Sequence, residues 1–219
     1  QELWEIFDTV SNAVPKNIRL ILDITHAFRS VPLLLFGVVT YLRRVKGVEL
    51  ELIVYGAYDA RKEVADGVAT TPVFDLTVLA DLQEWLQAVD SFYIRSDAGK
   101  LSELLSKAQD KSWGARTKES RVLPERLKNM AGHLNEFSHA IRLLRPFEAL
   151  KAAGKVKQFS KTIESEAAEW VKPFSHILTL LSAEIRDLAV EEPENLGEES
   201  LKGQLVLIKH YLDKDLTVQ

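Results

Sequence analysis

Hydrophobic and polar positions change their period partway along the chain. Between residue 1 and about residue 95, short aliphatic runs alternate with amphipathic stretches, whereas beyond about residue 100 every apolar pattern is helical. The first amphipathic stretch carries Leu3, Ile6, Phe7 and Val10 and stops before Pro15. Ile18-Arg19-Leu20-Ile21-Leu22 then predicts a short buried strand, ended by polar Asp23. Val31 to Val45 is apolar on almost every face and predicts a buried helix, with Pro32 in its first turn and Gly47 as its stop. Glu49 to Tyr55 alternates and then turns fully apolar, which predicts a second strand. A strand, helix, strand unit of this length makes its strands parallel and its crossover right-handed. Ala60 to Thr71 predicts a polar loop before Pro72-Val73-Phe74, and Asp75 is placed to cap a helix bearing Leu76, Leu79, Leu82, Leu86 and Val89.

In the second half, Leu123, Leu127, Met130, Leu134, Phe137, Ile141 and Leu144 step by four and three in alternation. That is the seam of a long helix packing on another helix. Arg145-Pro146 interrupts it, and a second set from Phe159 through Ile163, Ala167, Trp170, Phe174, Ile177 and Leu181 to Leu188 repeats the habit with Pro173 as a kink. An acidic turn, Glu191 to Gly197, precedes a third helix through Leu201, Leu205, Ile208 and Leu212. Ser, Gly, Asp and Lys dominate between Arg95 and Glu119. The expected organisation is an α/β domain over 1–95, a linker over 96–119 and an all-helical domain over 120–219.

Composition narrows the function classes. The 219 residues are 46% hydrophobic and 27% charged, enough to bury a real core. With 28 Lys+Arg against 32 Asp+Glu the formal net charge is -4, so no excess positive charge is available for long-duplex DNA, and any nucleic-acid site must be local. The absence of cysteine excludes disulfides, thiolate zinc sites and cysteine nucleophiles. The longest apolar run, Val31 to Leu42, is too short to span a bilayer and runs into Arg43, Arg44 and Lys46, and the acidic Gln1-Glu2-Leu3-Trp4 is unlike a signal peptide. A cytoplasmic location with no membrane contact is expected. No pair of histidines has metal-ligand spacing, so no metal is expected. The first residue is not Met and the chain stops inside a helical pattern, so an interior piece of a longer protein is expected.

The densest chemistry lies directly after the first strand. Asp23, Thr25, His26 and Arg29 stand within seven residues, followed by Ser30 at the start of the apolar helix. In open parallel sheets ligands bind beyond the carboxyl ends of the strands, and Gly56 to Arg61, after the second strand, falls on the same rim. Hydroxyls, a guanidinium fork and a helix N-terminus together suit a phosphate or a base edge. The same residues also have a purely structural reading, with Asp23 and Ser30 as caps, Arg29 as a surface charge and His26 as a satisfied interior ring.

The segment Leu22-Asp23-Ile24-Thr25-His26-Ala27-Phe28-Arg29-Ser30-Val31-Pro32 resembles the signature of the CRISPR-associated DxTHG family, with Ala27 where the motif has Gly. Tyr55-Gly56-Ala57, Thr71 to Thr77, Glu84-Trp85 and Ala88-Val89-Asp90 resemble that family in order and spacing. The resemblance implies a partial CARF domain, a Rossmann-like parallel sheet with flanking helices, lacking N-terminal strands that would precede Gln1. It implies a homodimer whose paired pockets bind cyclic oligoadenylate as an activator, with no cofactor. It assigns Asp23, Thr25, His26 and Arg29 to that pocket, with Ser30 and Gly56 as neighbours, and implies that the helical domain resembles a HEPN single-stranded RNA endonuclease.

HEPN ribonucleases pair Arg with a His five to seven residues on, across a dimer. The chemistry implied by the family needs no metal: a 2′-hydroxyl of the RNA attacks its own phosphate while His moves protons and Arg neutralises charge. In the helical half, Arg126 and His133 are the pair that fits the spacing. The resemblance places the family's motif later, after a segment like Gln204 to Gln219, so the catalytic helix is expected outside this chain. Two other readings compete with nuclease activation: a sensor whose helical half only dimerises or docks a partner, and a ring nuclease that cleaves its own ligand beside Thr25 or His26.

Overall fold

Among the described residues, five short strands and eight α-helices follow the change of period seen in the sequence. The computed structural model describes residues 2–26, 30–64, 68–115, 123–195 and 197–216. Two compact units divide the chain, Gln1–Gln83 and Glu84–Gln219.

In the first unit, α1 (Glu2–Ala13) is followed by β1 (Arg19–Asp23), α2 (Val31–Lys46) and β2 (Glu49–Gly56). The two strands pair in parallel, from Arg19 opposite Glu49 to Asp23 opposite Val54, as a strand, helix, strand unit requires. α2 ends where the sequence places its stop: Gly47 adopts the left-handed φ of 63° that closes a helix, and Arg43, Arg44 and Lys46 lie at the negative end of the helix dipole. The small core joins Val38, Leu42 and Val48 with Phe7, Val10, Ile18 and Leu20. Lys46 ties α1 to α2 by donating from Nζ to the carbonyls of Ser11 and Val14.

Three expectations for this unit change. The sheet is mixed, because Val73–Asp75 forms β5 antiparallel to β2, with Gly56 opposite Val73. The expected polar loop holds a two-stranded hairpin, β3 (Lys62–Val64) and β4 (Val68–Thr70). Its aliphatic residues are too few and too short-ranged to announce a strand by periodicity. β1 and α2 are also less buried than their apolar runs predict: Ile21 is 58% exposed and Leu33 78% exposed, since β1 pairs on one side only among the described residues.

The chain enters the second unit within α3 (Val78–Arg95) and continues through α4 (Gly99–Gly114), α5 (Leu127–Arg142), α6 (Pro146–Trp170), α7 (Lys172–Ile185) and α8 (Glu198–Asp213). One large core runs from Trp85, Phe92 and Leu105 through Leu134 and Phe137 to Phe174, Leu181 and Leu207. The alternating seam of α5 is buried as its spacing predicts, with Leu127, Met130, Leu134, Phe137 and Ile141 all inaccessible. Leu123 lies ahead of that helix and Leu144 beyond it, at a left-handed φ of 52°. Within the segment expected as a linker, 96–119, α4 buries Leu101, Leu104 and Leu105; polar residues on its other face obscure that stripe. Pro173 does not kink a single helix. It stands in the first turn of α7, where its missing N–H costs nothing, after α6 has ended at Trp170.

The last helix reverses its expected orientation. Leu201, Leu205, Ile208 and Leu212 are exposed, while Ser200, Gly203, Leu207 and His210 face inward. Gly203 permits this, because a Cβ there would come within 2.5 Å of the Val190 side chain.

Candidate functional site

Asp23 and Gly56 stand at the carboxyl ends of two neighbouring parallel strands, and Thr25 joins them. Ile24 extends the ladder by donating its N–H to the Val54 carbonyl at 3.0 Å, which aligns the turn after β1 with the end of β2. There the chain leaves the sheet through an Asx turn: Oδ1 of Asp23 accepts the backbone N–H of Thr25 at 2.9 Å. The Thr25 hydroxyl then accepts the Gly56 N–H at 2.8 Å and is itself directed to the Asp23 carboxylate. Donor and acceptor capacity of that hydroxyl are therefore both committed to holding the rim together.

Gly56 is required by the same contact. A Cβ built there would sit 3.0 Å from Cγ2 and 3.2 Å from Oγ1 of Thr25, tighter than side chains normally pack. The hydrogen bond from the Thr25 side chain, then that from its backbone N–H, and lastly the charge of His26 hold the Asp23 carboxyl below its ordinary range. A formal anion thus stays ionised inside a turn otherwise suited to anions, and its role is to shape the backbone.

With Asp23 and Thr25 occupied, the groups free to meet a ligand are the others. His26 is exposed on the turn, and Ser30 stands exposed at the N-cap position of α2 with its hydroxyl making no capping bond. The first N–H groups of α2 and the positive end of its dipole belong to the same segment. Ala27 and Arg29 lie outside the described residues. Beyond β2, a 3-10 turn at Tyr58–Ala60 presents Tyr58, 64% exposed, with the Arg61 guanidinium 4.3 Å from its ring centroid. An exposed aromatic ring capped by a guanidinium is a stacking surface for a planar base. Sequence reasoning placed these residues on the rim without identifying the pair, since two residues separate them and the turn that joins them has no strong signature.

The second candidate pair sits in the other unit. Arg126 occupies the N-cap position of α5, where its backbone N–H meets Glu166 Oε1 at 2.8 Å and its guanidinium donates to the Thr162 carbonyl at 3.2 Å. His133 packs edge-on against Phe159, ring centroids 5.1 Å apart, and its buried Nδ1 has no hydrogen-bond partner among the described residues. Both side chains therefore address α6. The guanidinium is engaged with a main-chain carbonyl, and the imidazole leans on an aromatic ring. Among the described residues no three His, Asp or Glu side chains cluster as a metal site requires, and no helix is long and apolar enough to cross a membrane.

Comparison with known proteins adds family information. Residues 81–189 match the family model described as the second domain of CRISPR-associated protein MJ1674, a range from within α3 to just after the 3-10 turn that follows α7. The CRISPR-associated protein MJ1674 of Methanocaldococcus jannaschii is 30% identical over 153 residues, covering 66% of this chain and 22% of the relative. The chain thus spans about a fifth of the length of the curated relative it matches.

Proposed function

This chain belongs to a CRISPR-associated protein family, and from that premise we propose that its first unit senses cyclic oligoadenylate and its second relays the signal to a HEPN-type single-stranded RNA endonuclease activity. The observation that carries the reading is the Asp23–Thr25–Gly56 lock at the ends of two parallel strands. It fixes a turn whose unoccupied groups, His26, Ser30 and the start of α2, suit a phosphodiester. Beside that turn, Tyr58 and Arg61 offer a base-stacking surface. A ring of adenylates presents those two chemistries in alternation. It is also two-fold symmetric, so two copies of this chain can each hold half of it. A net charge of -4 does not oppose so small an anion when the site supplies local donors.

Arg29 completes this reading as the guanidinium for the phosphate. Isothermal titration of the protein with cyclic tetra-adenylate and cyclic hexa-adenylate tests it. Heat with one ring size, lost in Arg29→Ala and reduced at least about tenfold in affinity by His26→Ala, supports the proposal; no heat with any ring size overturns it.

One observation favours the competing sensor without nuclease chemistry. Arg126 spends its guanidinium on the Thr162 carbonyl, an arrangement suited to fastening α5 to α6. RNA cleavage that survives chelation and persists in Arg126→Ala would assign catalysis to another Arg-His pair. An absence of cleavage with ligand bound would favour the docking reading.

A further inference from the structure

Several cations of the second unit are paired with carboxylates. Lys100, Lys128, Lys155, Lys202, Lys214 and Arg145 each hold an Asp or Glu oxygen within 3.2 Å. Lys157, Lys161 and Arg186 are among the cations that have no ion-pair partner in the described residues, and these three line one groove. That groove, about 310 Å³, runs between α6 and α7. Lys157 and Lys161 are one turn apart on α6, about 6 Å along its axis. Facing them on α7 are the hydroxyls of Thr179 and Ser182, with Arg186 where that helix ends. Spacings of four on one helix and of three and four on the other keep each set on a single face. Two parallel ladders result, one of cations and one of hydroxyls.

We propose that this groove is a track for the sugar-phosphate backbone of a single-stranded nucleic acid. Successive phosphates meet Lys157 with Arg186 and then Lys161, while the α7 hydroxyls donate to the remaining phosphate oxygens. No aromatic side chain lines the groove, so bases are not stacked there and binding is indifferent to sequence. Two features limit its length. Glu164, one turn beyond Lys161, repels phosphate at one end. At the other end the adjoining hollow shares Lys157 and Arg186 but brings Asp187 and Glu199 with it, and its further cation, Lys202, is tied to Glu198. The track therefore holds about three phosphates, a local site of the kind a net acidic chain permits. It requires neither ligand sensing nor strand cleavage by this chain.

Fluorescence anisotropy of a labelled oligouridylate, and of its deoxy counterpart, titrated with the whole chain at low salt tests the proposal. Replacing Lys157, Lys161 and Arg186 together by Gln is expected to weaken binding at least about tenfold. It should also flatten the dependence of log affinity on log salt by about 2, since each single-strand phosphate contributes about 0.7. The comparison is a second triple replacement, Lys100, Lys128 and Lys155 to Gln, which removes the same charge from exposed pairs that contribute little to stability. Unchanged binding in the groove variant, or equal losses in both variants, would overturn the track. Tighter binding of the ribose strand identifies RNA as the occupant and the reverse identifies DNA. The groove variant should keep its heat with cyclic oligoadenylate; loss of that heat would place the ring in this groove and overturn the proposal. Binding of the strand without any cyclic-oligoadenylate heat in the wild type would instead sink only the sensor reading.

Discussion

Nε2 of His210 lies 2.7 Å from the Ser96 hydroxyl, and both side chains are buried. Around this pair stand the Phe137 ring, Asp213, Glu184 with an oxygen 4.0 Å from Nδ1, and Lys214, which holds Glu184 at 2.8 Å and donates to the Tyr93 carbonyl. The cluster ties α8 to α7 and to the turn after α3. Burial first, and the Lys214 charge second, push His210 down to about 4, against Glu184 and Asp213, which act to raise it. The folded chain keeps this ring neutral where the unfolded chain, near its ordinary value of 6.5, takes up a proton. Stability is therefore complete above about pH 6.5 and declines as pH falls toward 4. With solvent screening allowed for, the decline is on the order of 2 kcal/mol. Urea midpoints measured across that window should fall in the wild type and stay flatter in His210→Gln; parallel curves would refute the assignment.

Ser96 carries a second consequence. Its φ of 52° is left-handed, a conformation that costs about 1 kcal/mol for any residue with a Cβ. Ser96→Ala keeps that strain and strands a buried Nε2 without its hydrogen-bond partner, a loss of about 1–3 kcal/mol. Ser96→Gly loses the same hydrogen bond but relieves the backbone, so it should unfold about 1 kcal/mol later than the alanine variant. Chemical denaturation of both variants checks the order, and a less stable glycine variant would show that the strain is not felt.

At the candidate ligand rim, Thr25→Val keeps shape and removes the hydroxyl that accepts from Gly56. A cost of about 1 kcal/mol in stability is expected, together with at least about a tenfold loss of cyclic-oligoadenylate affinity as the turn loosens. Gly56→Ala should weaken binding similarly, because its methyl forces Thr25 outward. Thr25→Ser, which retains the oxygen, should restore most of the affinity. If Thr25→Ser bound no better than Thr25→Val, the hydroxyl would have no positioning role.

Legibility in the sequence followed the strength of local signals. The parallel strand pair, the stop of α2 at Gly47 and the buried seam of α5 each rest on a run, a special residue or a strict period, and each is present. The closeness of Asp23, Thr25 and Gly56 was legible too, because both segments follow strands of one crossover unit. β5 was hidden because three residues between Pro72 and Leu76 form no period of their own and are held by pairing with β2. The His210–Ser96 contact was hidden because 114 positions separate the two, and Glu184, the carboxylate 4.0 Å from His210, comes from α7. The groove cations were hidden for a related reason: Lys157 and Arg186 become neighbours only after α6 and α7 fold back on each other.

The two faces of α8 give the sharpest test of that distinction. Read alone, Leu201, Leu205, Ile208 and Leu212 form the better stripe, spaced four, three and four, and periodicity favours them as the buried side. The other side sets Leu207 among Ser200, Gly203 and His210, with Val206 and Tyr211 partly buried beside it, yet it is the side that packs, because Gly203 lets Val190 approach and His210 finds Ser96. Leu207 is 2% exposed and Leu205 67% exposed. Leu207→Ala should therefore cost about 2–4 kcal/mol through lost burial and the cavity left behind. Leu205→Ala, one helix face away and identical in chemistry, should change stability by less than about 0.5 kcal/mol. Thermal and urea unfolding of the dilute chain separates the two variants. Equal costs would mean that the Leu205 face is also covered in solution, and a midpoint for wild type that rises with protein concentration would identify a second copy of the chain as the cover.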